Sequence, residues 1–356
     1  PINMNGDVSI VSDGLGVTAR GTVNVKGGTT TVTTTRGTGI YVNYGAFNVN
    51  ETAAVSVEST IEDIAWAMPP EHPGESGANR YNGVYVQSGS LIADGTLSVK
   101  HKGVSNGKHE TYDGLEINSY AVRVEKATDG VTEVAIAKGA ITNNSGGGVY
   151  VGGGSVTLGT EKSGPTITTT GTAFDDKTAN TNVGSGNWKF YANQTGGHAV
   201  EVVDGKLSIN DGLYTAALGN GILVRNGEVC VLDGIFQGND TEEYRKEYDG
   251  DLPAGPEAYY ALKLFGGTIT TFGGTFGTYS MEQDGQKTEH TAGGSSAFVT
   301  GGESGEATAN IYGGNFVVSG QSGFSVYKKV TLTFSPSESA SYDNVMHTGS
   351  KIVVSA

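Results

Sequence analysis

Apolar and polar residues alternate along this chain in short runs that end at glycine, and one such phrase recurs in register. It reads Gly39-Ile40-Tyr41-Val42-x-x-Gly45-x-Phe47-x-Val49, then Gly83-Val84-Tyr85-Val86-x-x-Gly89-x-Leu91, then Gly148-Val149-Tyr150-Val151-x-x-Gly154-x-Val156-x-Leu158. Weaker copies begin at Gly16, Ala121, Ala199, Gly221, Ala261, Ala297 and Gly323. The two-residue period is that of a half-buried strand and not of a helix. The shortest intervals, Gly16 to Gly39 and Ala199 to Gly221, are about 22 residues, at the lower end of solenoid periods.

One unit divides into three strands separated by glycine turns. In the copy at Gly221 they are Ile222-Leu223-Val224, Val229-Cys230-Val231 and, after Asp233-Gly234, Ile235-Phe236. Equivalent strands of successive units can pair in parallel, so that Ile40, Val42, Phe47 and Val49 stack on Val84, Val86, Leu91 and Ala93. The expected fold is all-β: a right-handed, single-stranded parallel β-helix of about ten coils, with three short strands per coil and loop insertions. It would occupy residues 1–334, leaving 335–356 as a C-terminal cap or the start of a further segment.

Composition narrows the setting. Fifty-seven Gly against eight Pro suits a chain that turns a corner every few residues. The single cysteine, Cys230, precludes an intrachain disulfide, and alternation puts it on the outward face. A net charge of −15 argues against nucleic acid, whose phosphates call for basic patches. No apolar run reaches membrane-spanning length, and no leader pattern opens the chain, which starts in mid-pattern at Pro1 as a trimmed piece would. An acidic, Thr- and Gly-rich repeat of this kind is expected to be extracellular, secreted or on a bacterial cell surface, and monomeric.

The Gly-Val-Tyr-Val phrases, together with Gly273-Gly274-Thr275-Phe276 and Gly313-Gly314-Asn315-Phe316, resemble those of pectin-lyase-like right-handed β-helices in adhesin-like surface proteins of gut bacteria. The resemblance covers most of the chain. It implies a scaffold shared by polysaccharide lyases, polygalacturonase-like hydrolases, autotransporter passengers and carbohydrate-binding modules, so it leaves activity open.

Catalytic chemistry is represented only by fragments. Asp175-Asp176 lies in a polar stretch away from the repeated strands, and Gly196-Gly197-His198 is not followed by Gly. A lyase would need a placed Arg or Lys base, for which Arg123 and Lys263 are the strand-borne candidates. No metalloprotease helix motif, paired Cys-x-x-Cys, nucleophile elbow or P-loop is present. No catalytic or metal-binding residue is therefore assigned. Calcium is the one cofactor left open, at the acidic stretch Asn239 to Asp251, which lacks the spacing and central Gly of an EF-hand loop.

Unusual side chains concentrate at the middle letter of the phrase, which reads Tyr41, Tyr85, Arg123, Tyr150, Glu201, Leu223 and Lys263 in successive copies. Tyr85, Arg123 and Tyr150 would form one ladder, and an open ladder of this kind could take the apolar faces of sugars. Aromatic ladders also stabilise neighbouring strands with nothing bound. Both tryptophans, Trp66 and Trp188, fall in insertions, at 60–82 and 172–196, and a third insertion spans 101–113. The expected function is an adhesin-like, non-catalytic binder of polysaccharide, host-surface glycan or protein through Tyr41, Tyr85, Arg123, Tyr150, Trp66 and Trp188. The alternatives are a lyase or glycoside hydrolase acting on uronate polymers, whose carboxylates would have to converge, and a passive surface stalk.

Overall fold

The computed structural model describes residues 1–60, 82–102, 107–109, 115–117, 119–144, 146–170, 197–240, 260–277, 279–283, 286–290, 297–299, 306–317, 324–326, 330–334, 340–342, 345–347 and 351–354. Among these, the strands form two large sheets. The narrow sheet has eleven strands, built from the apolar triplet of each phrase: Val17–Ala19, Ile40–Val42, Val84–Val86 and onward to Val345–His347. Each pairs in parallel with the equivalent strand of the next repeat, as in Ile40↔Val84, Tyr41↔Tyr85 and Val42↔Val86. The broad sheet has nineteen strands and carries the rest of each repeat.

The broad sheet departs from the expectation of three separate short strands. Thr22–Thr34, Gly89–Lys102, Thr132–Asn143, Gly267–Gly277 and Ala307–Val317 each run unbroken through both the second and third positions of a repeat. Thr132–Asn143 pairs through its first half with Ser155–Leu158 and through its second half with Pro165–Thr169. Gly267–Gly277 does the same with Glu228–Val231 and Ile235–Asp240. With Lys206–Ile209 and Leu213–Ala216 between them, these eight parallel strands close a circuit of neighbours.

The expected open, right-handed β-helix of about ten three-stranded coils is thereby corrected to two sheets, one of eleven strands and one that closes on itself. The physical reason lies at the corners. Gly139 takes a φ of +138°, and a Cβ there would fall on the carbonyl oxygen of Leu97 in the preceding repeat. The chain can therefore bend within one strand, its ladder to the preceding repeat shifting register between Ile136 and Lys138 and its ladder to Pro165–Thr169 starting at Gly139.

The core lies between the sheets. Ile40, Val42, Val84, Val86, Val122 and Val124 of the narrow sheet and Phe47, Leu91, Leu97, Ile141, Leu158 and Ile167 of the broad sheet are fully buried. Each such side chain contributes roughly 1.5–3 kcal/mol through removal from water. Towards the later repeats the core becomes aromatic. Tyr214, Phe236, Phe276 and Phe316 stack in sequence with ring centroids 4.9, 4.7 and 4.5 Å apart. That spacing is the strand spacing of a sheet, so ring stacking follows from the register.

The small first letter of the phrase is explained by the same close packing. A Cβ on Gly39, Gly83 or Gly148 would meet a γ-carbon of Val57, Val99 or Ile167, all inside the core. Residues 335–356, set apart in the sequence as a cap or the start of a further segment, contribute Ala340–Tyr342, Val345–His347 and Lys351–Val354, which extend both sheets in parallel. No helix among the described residues is long and apolar enough to cross a membrane.

Candidate functional site

The middle letters of the phrase form one cross-strand row on the narrow sheet: Tyr41↔Tyr85, Tyr85↔Arg123, Arg123↔Tyr150, Tyr150↔Glu201, Glu201↔Leu223 and Leu223↔Lys263. The register brings together the four strand-borne residues singled out in the sequence. It does not leave them open. Tyr41, Tyr85 and Arg123 are 7%, 3% and 9% exposed, Glu201 and Lys263 are buried, and Tyr150 is half-buried. The row is a seam on the face of the narrow sheet opposite the core and is largely covered there.

Within the seam the polar groups satisfy one another. The Tyr41 and Tyr85 rings stack at 5.4 Å and 4°, and the Tyr41 hydroxyl donates to the Gln87 side chain. Arg123 Nε donates to Glu125 Oε1 at 2.7 Å, and its guanidinium carbon lies 4.9 Å from the Tyr150 ring centroid. Tyr150 in turn packs against Tyr120 at 4.8 Å. The Tyr120 hydroxyl donates to Glu201 Oε2 at 2.6 Å, while Arg225 Nε donates to Glu201 Oε1 at 2.7 Å. The Lys263 ammonium sits over the rings of Tyr260 and Phe265, 5.6 and 5.0 Å from their centroids.

Electrostatics follow from this arrangement. Burial works to raise the pKa of Glu201, but the charges of Arg225 and His198 and the hydrogen bonds from Tyr120 and Arg225 outweigh it, so its carboxyl is held below the usual range. Burial pushes the Tyr150 phenol up to about 12, with Glu125 adding to the rise and Arg123 opposing it. Tyr120 and Tyr85 move the same way, Tyr120 through burial and then Glu201, Tyr85 through burial and then Glu125. For Arg123, burial disfavours the cation and Glu125 more than restores it. The seam thus consists of ionised pairs and protonated phenols that satisfy one another.

Sequence reading missed Tyr120, Glu125 and Arg225. The signal was the two-residue period: Glu125 and Arg225 stand two places after Arg123 and Leu223, which puts them on the same face beside the row. Tyr120 precedes the phrase, at a position where other repeats carry Thr38, Asn82, Gly147, His198 and Asn220. These residues line a corner. Asn82 Oδ1 accepts from Tyr120 N at 3.1 Å, Asn220 Oδ1 accepts from Tyr260 N at 2.7 Å, and His198 Nδ1 accepts from Asn220 N at 3.0 Å. Nearby, His101 bridges Ser59 and Ser119 at 2.9 and 3.0 Å, and all three are fully buried. His198, noted in the sequence within a glycine fragment, belongs to this corner.

The remaining sequence candidates fall as follows. Trp66, Trp188 and Asp175-Asp176 lie outside the described residues, as does most of the acidic stretch Asn239 to Asp251. Among the described residues, no group of three or more His, Cys, Asp or Glu is placed to hold a metal ion. Cys230 is half-buried on the outward row between Ser208 and Thr270, and burial pushes its thiol up.

The insertions obey a rule. The longest links between described strands are 61–83, 103–119, 170–199, 241–261 and 278–296. Every one runs from the end of a broad-sheet strand to the start of the next narrow-sheet strand. Links at the opposite corner are shorter, from 43–44, 87–88, 203–205 and 225–227 up to 125–131 and 300–306. Because the repeats stack in register, all five long links leave the scaffold from one edge. Two contain antiparallel hairpins, Gly107–His109 with Leu115–Ile117 and Tyr279–Gln283 with Gln286–His290.

No protein-family model, curated protein or solved structure matches the chain. The resemblance to pectin-lyase-like β-helices is corrected by the closed broad sheet, and nothing in the structure supports the adhesin and secretion readings attached to it.

Proposed function

We propose that this chain is a non-catalytic recognition scaffold that presents its inserted segments to a glycan. One observation carries the reading: all five long links leave from a single corner of the stack, while links between described strands at the corner from narrow to broad sheet are no longer than 125–131 and 300–306. Loops held by a rigid framework are where binding concentrates. Insertions scattered without preference would only indicate tolerance. The segments at this edge also carry both tryptophans, with Phe190 and Tyr191 beside Trp188, and aromatic rings are the side chains that pack on the CH faces of sugars. The buried seam on the narrow sheet supplies rigidity to the framework, since its charges are already paired.

The test replaces 61–81 and 171–196 in turn by short Gly-Ser linkers in the otherwise intact chain and compares binding on a glycan array. Loss of signal with an unchanged melting midpoint is the expected result. An unaltered glycan profile in both replacements, or no glycan bound by the parent chain, would overturn it. Release of reducing ends or unsaturated products from a uronate polymer would replace it with the enzymatic reading.

A further inference from the structure

The later repeats carry an exposed apolar row on the outward face of the broad sheet. Phe272 and Tyr312 are 50% and 38% exposed, their rings lie 5.4 Å apart and 26° from parallel, and Leu232, 45% exposed, holds the corresponding place one repeat earlier. Large aromatic surface in water is unfavourable, and a row of it on consecutive repeats is the kind of patch that marks an interaction site.

Beside the two rings the neighbouring positions are polar and uncharged, and the nearest charges on this face belong to Glu228, which faces Thr268 one repeat earlier and is ion-paired with Lys206. Alternation places Thr270 on the same face as Phe272, and Asn310 on the same face as Tyr312, and these two are directly paired, with Asn310 Nδ2 donating to Thr270 Oγ1 at 3.4 Å. One row further, Thr268 pairs with Thr308. In a chain of net charge −15 this face offers rings, hydroxyls and an amide with no ionic group among those positions. An acidic polymer would meet general repulsion there, and the nearest cation on this face, Lys206, is already paired with Glu228. A neutral sugar chain meets both things it needs: aromatic surface for its CH faces and hydrogen-bonding groups for its hydroxyls.

We infer that Phe272 and Tyr312, flanked by Leu232, Thr270 and Asn310, form a binding platform for a neutral polysaccharide, lying along the stacking direction. The platform is built from scaffold residues and does not rest on the inserted segments. The two proposals can therefore fail separately.

The experiment is affinity electrophoresis of the full chain through gels containing mixed-linkage β-glucan, xylan or galactomannan, with polygalacturonate as the acidic control. At least one neutral polymer should retard the parent chain, and Phe272→Ala with Tyr312→Ala should weaken that retardation about tenfold, equivalent to about 1.4 kcal/mol. Tyr312→Phe should retain most of it. The segment-replaced proteins should still be retarded. If the double variant melts lower than the parent, Tyr312→Ser alone is read instead. Equal retardation of parent and double variant, no retardation by any neutral polymer, or preference for polygalacturonate would overturn the proposal. So would a concentration-dependent dimer in sedimentation that the double variant abolishes, since the row would then be an interface with a second copy.

Discussion

The Tyr120 hydroxyl stands 2.6 Å from Glu201 Oε2, although one narrow-sheet strand, Gly147–Val151, separates the repeats to which they belong. The ring must cross the intervening repeat to get there. Gly147 pairs with Tyr120 in that repeat, and a Cβ on Gly147 would fall on the Tyr120 ring. Three repeats are thus tied by one contact, and the glycine is as necessary to it as the phenol. Arg225 reaches the same carboxylate from a fourth repeat.

Tyr120→Phe keeps the ring packed against Tyr150 and removes only the donor to a buried, charged acceptor. Hydrogen bonds to charged groups contribute about 1.5–3 kcal/mol, so a loss of that order in unfolding free energy is expected. Urea denaturation followed by circular dichroism measures it. A loss below about 0.5 kcal/mol would mean that Arg225 alone satisfies Glu201.

Glu201 should also make stability depend on acid in a particular window. Its folded pKa is depressed, so its contribution is present above the unfolded value of about 4.3 and fades as pH falls through the folded value. The groups facing it are Arg225, His198, Tyr120 and Tyr150. Comparing the parent with Glu201→Gln cancels the other carboxylates. The stability gap between the two should be constant above about pH 5 and shrink below about pH 4. A gap that stays constant through the acid range, or widens there, would show that Glu201 is not held ionised by its partners.

Part of this molecule was legible because close approaches force residue choice. Gly39, Gly83 and Gly148 recur where a side chain would enter the core, and alternation around them marks Ile40, Val84 and Val149 as interior. The pairing of Tyr85, Arg123 and Tyr150 follows from that register. Burial of the row did not follow, because a two-residue period says which residues share a face and not whether that face is covered. The continuity of strands such as Gly89–Lys102 was hidden for a similar reason. Asp94-Gly95 reads as a turn in sequence, yet it lies inside one strand, which passes from pairing with Gly45–Val49 to pairing with Ala53–Thr60 across these two residues. The aromatic row at Phe272 and Tyr312 was overlooked because each residue sits just before a Gly-Gly pair and reads as part of a corner.

The glycine that starts the broad-sheet strand separates conformational cost from crowding. Gly89 has φ +93°, and a Cβ there would fall on the carbonyl oxygen of Gly45 in the preceding repeat. Gly130 has nearly the same φ, +95°, with nothing near its Cβ position. Forcing an L-residue into a left-handed conformation costs about 1–2 kcal/mol, and overpacking adds about 1–3 kcal/mol. Gly130→Ala should therefore lose only the first amount, and Gly89→Ala about 2–5 kcal/mol, in parallel urea titrations. Equal losses would show that the backbone of neighbouring repeats can separate at this corner without penalty. The recurrence of Gly at Gly89, Gly154, Gly205, Gly227 and Gly267 would then reflect backbone conformation alone.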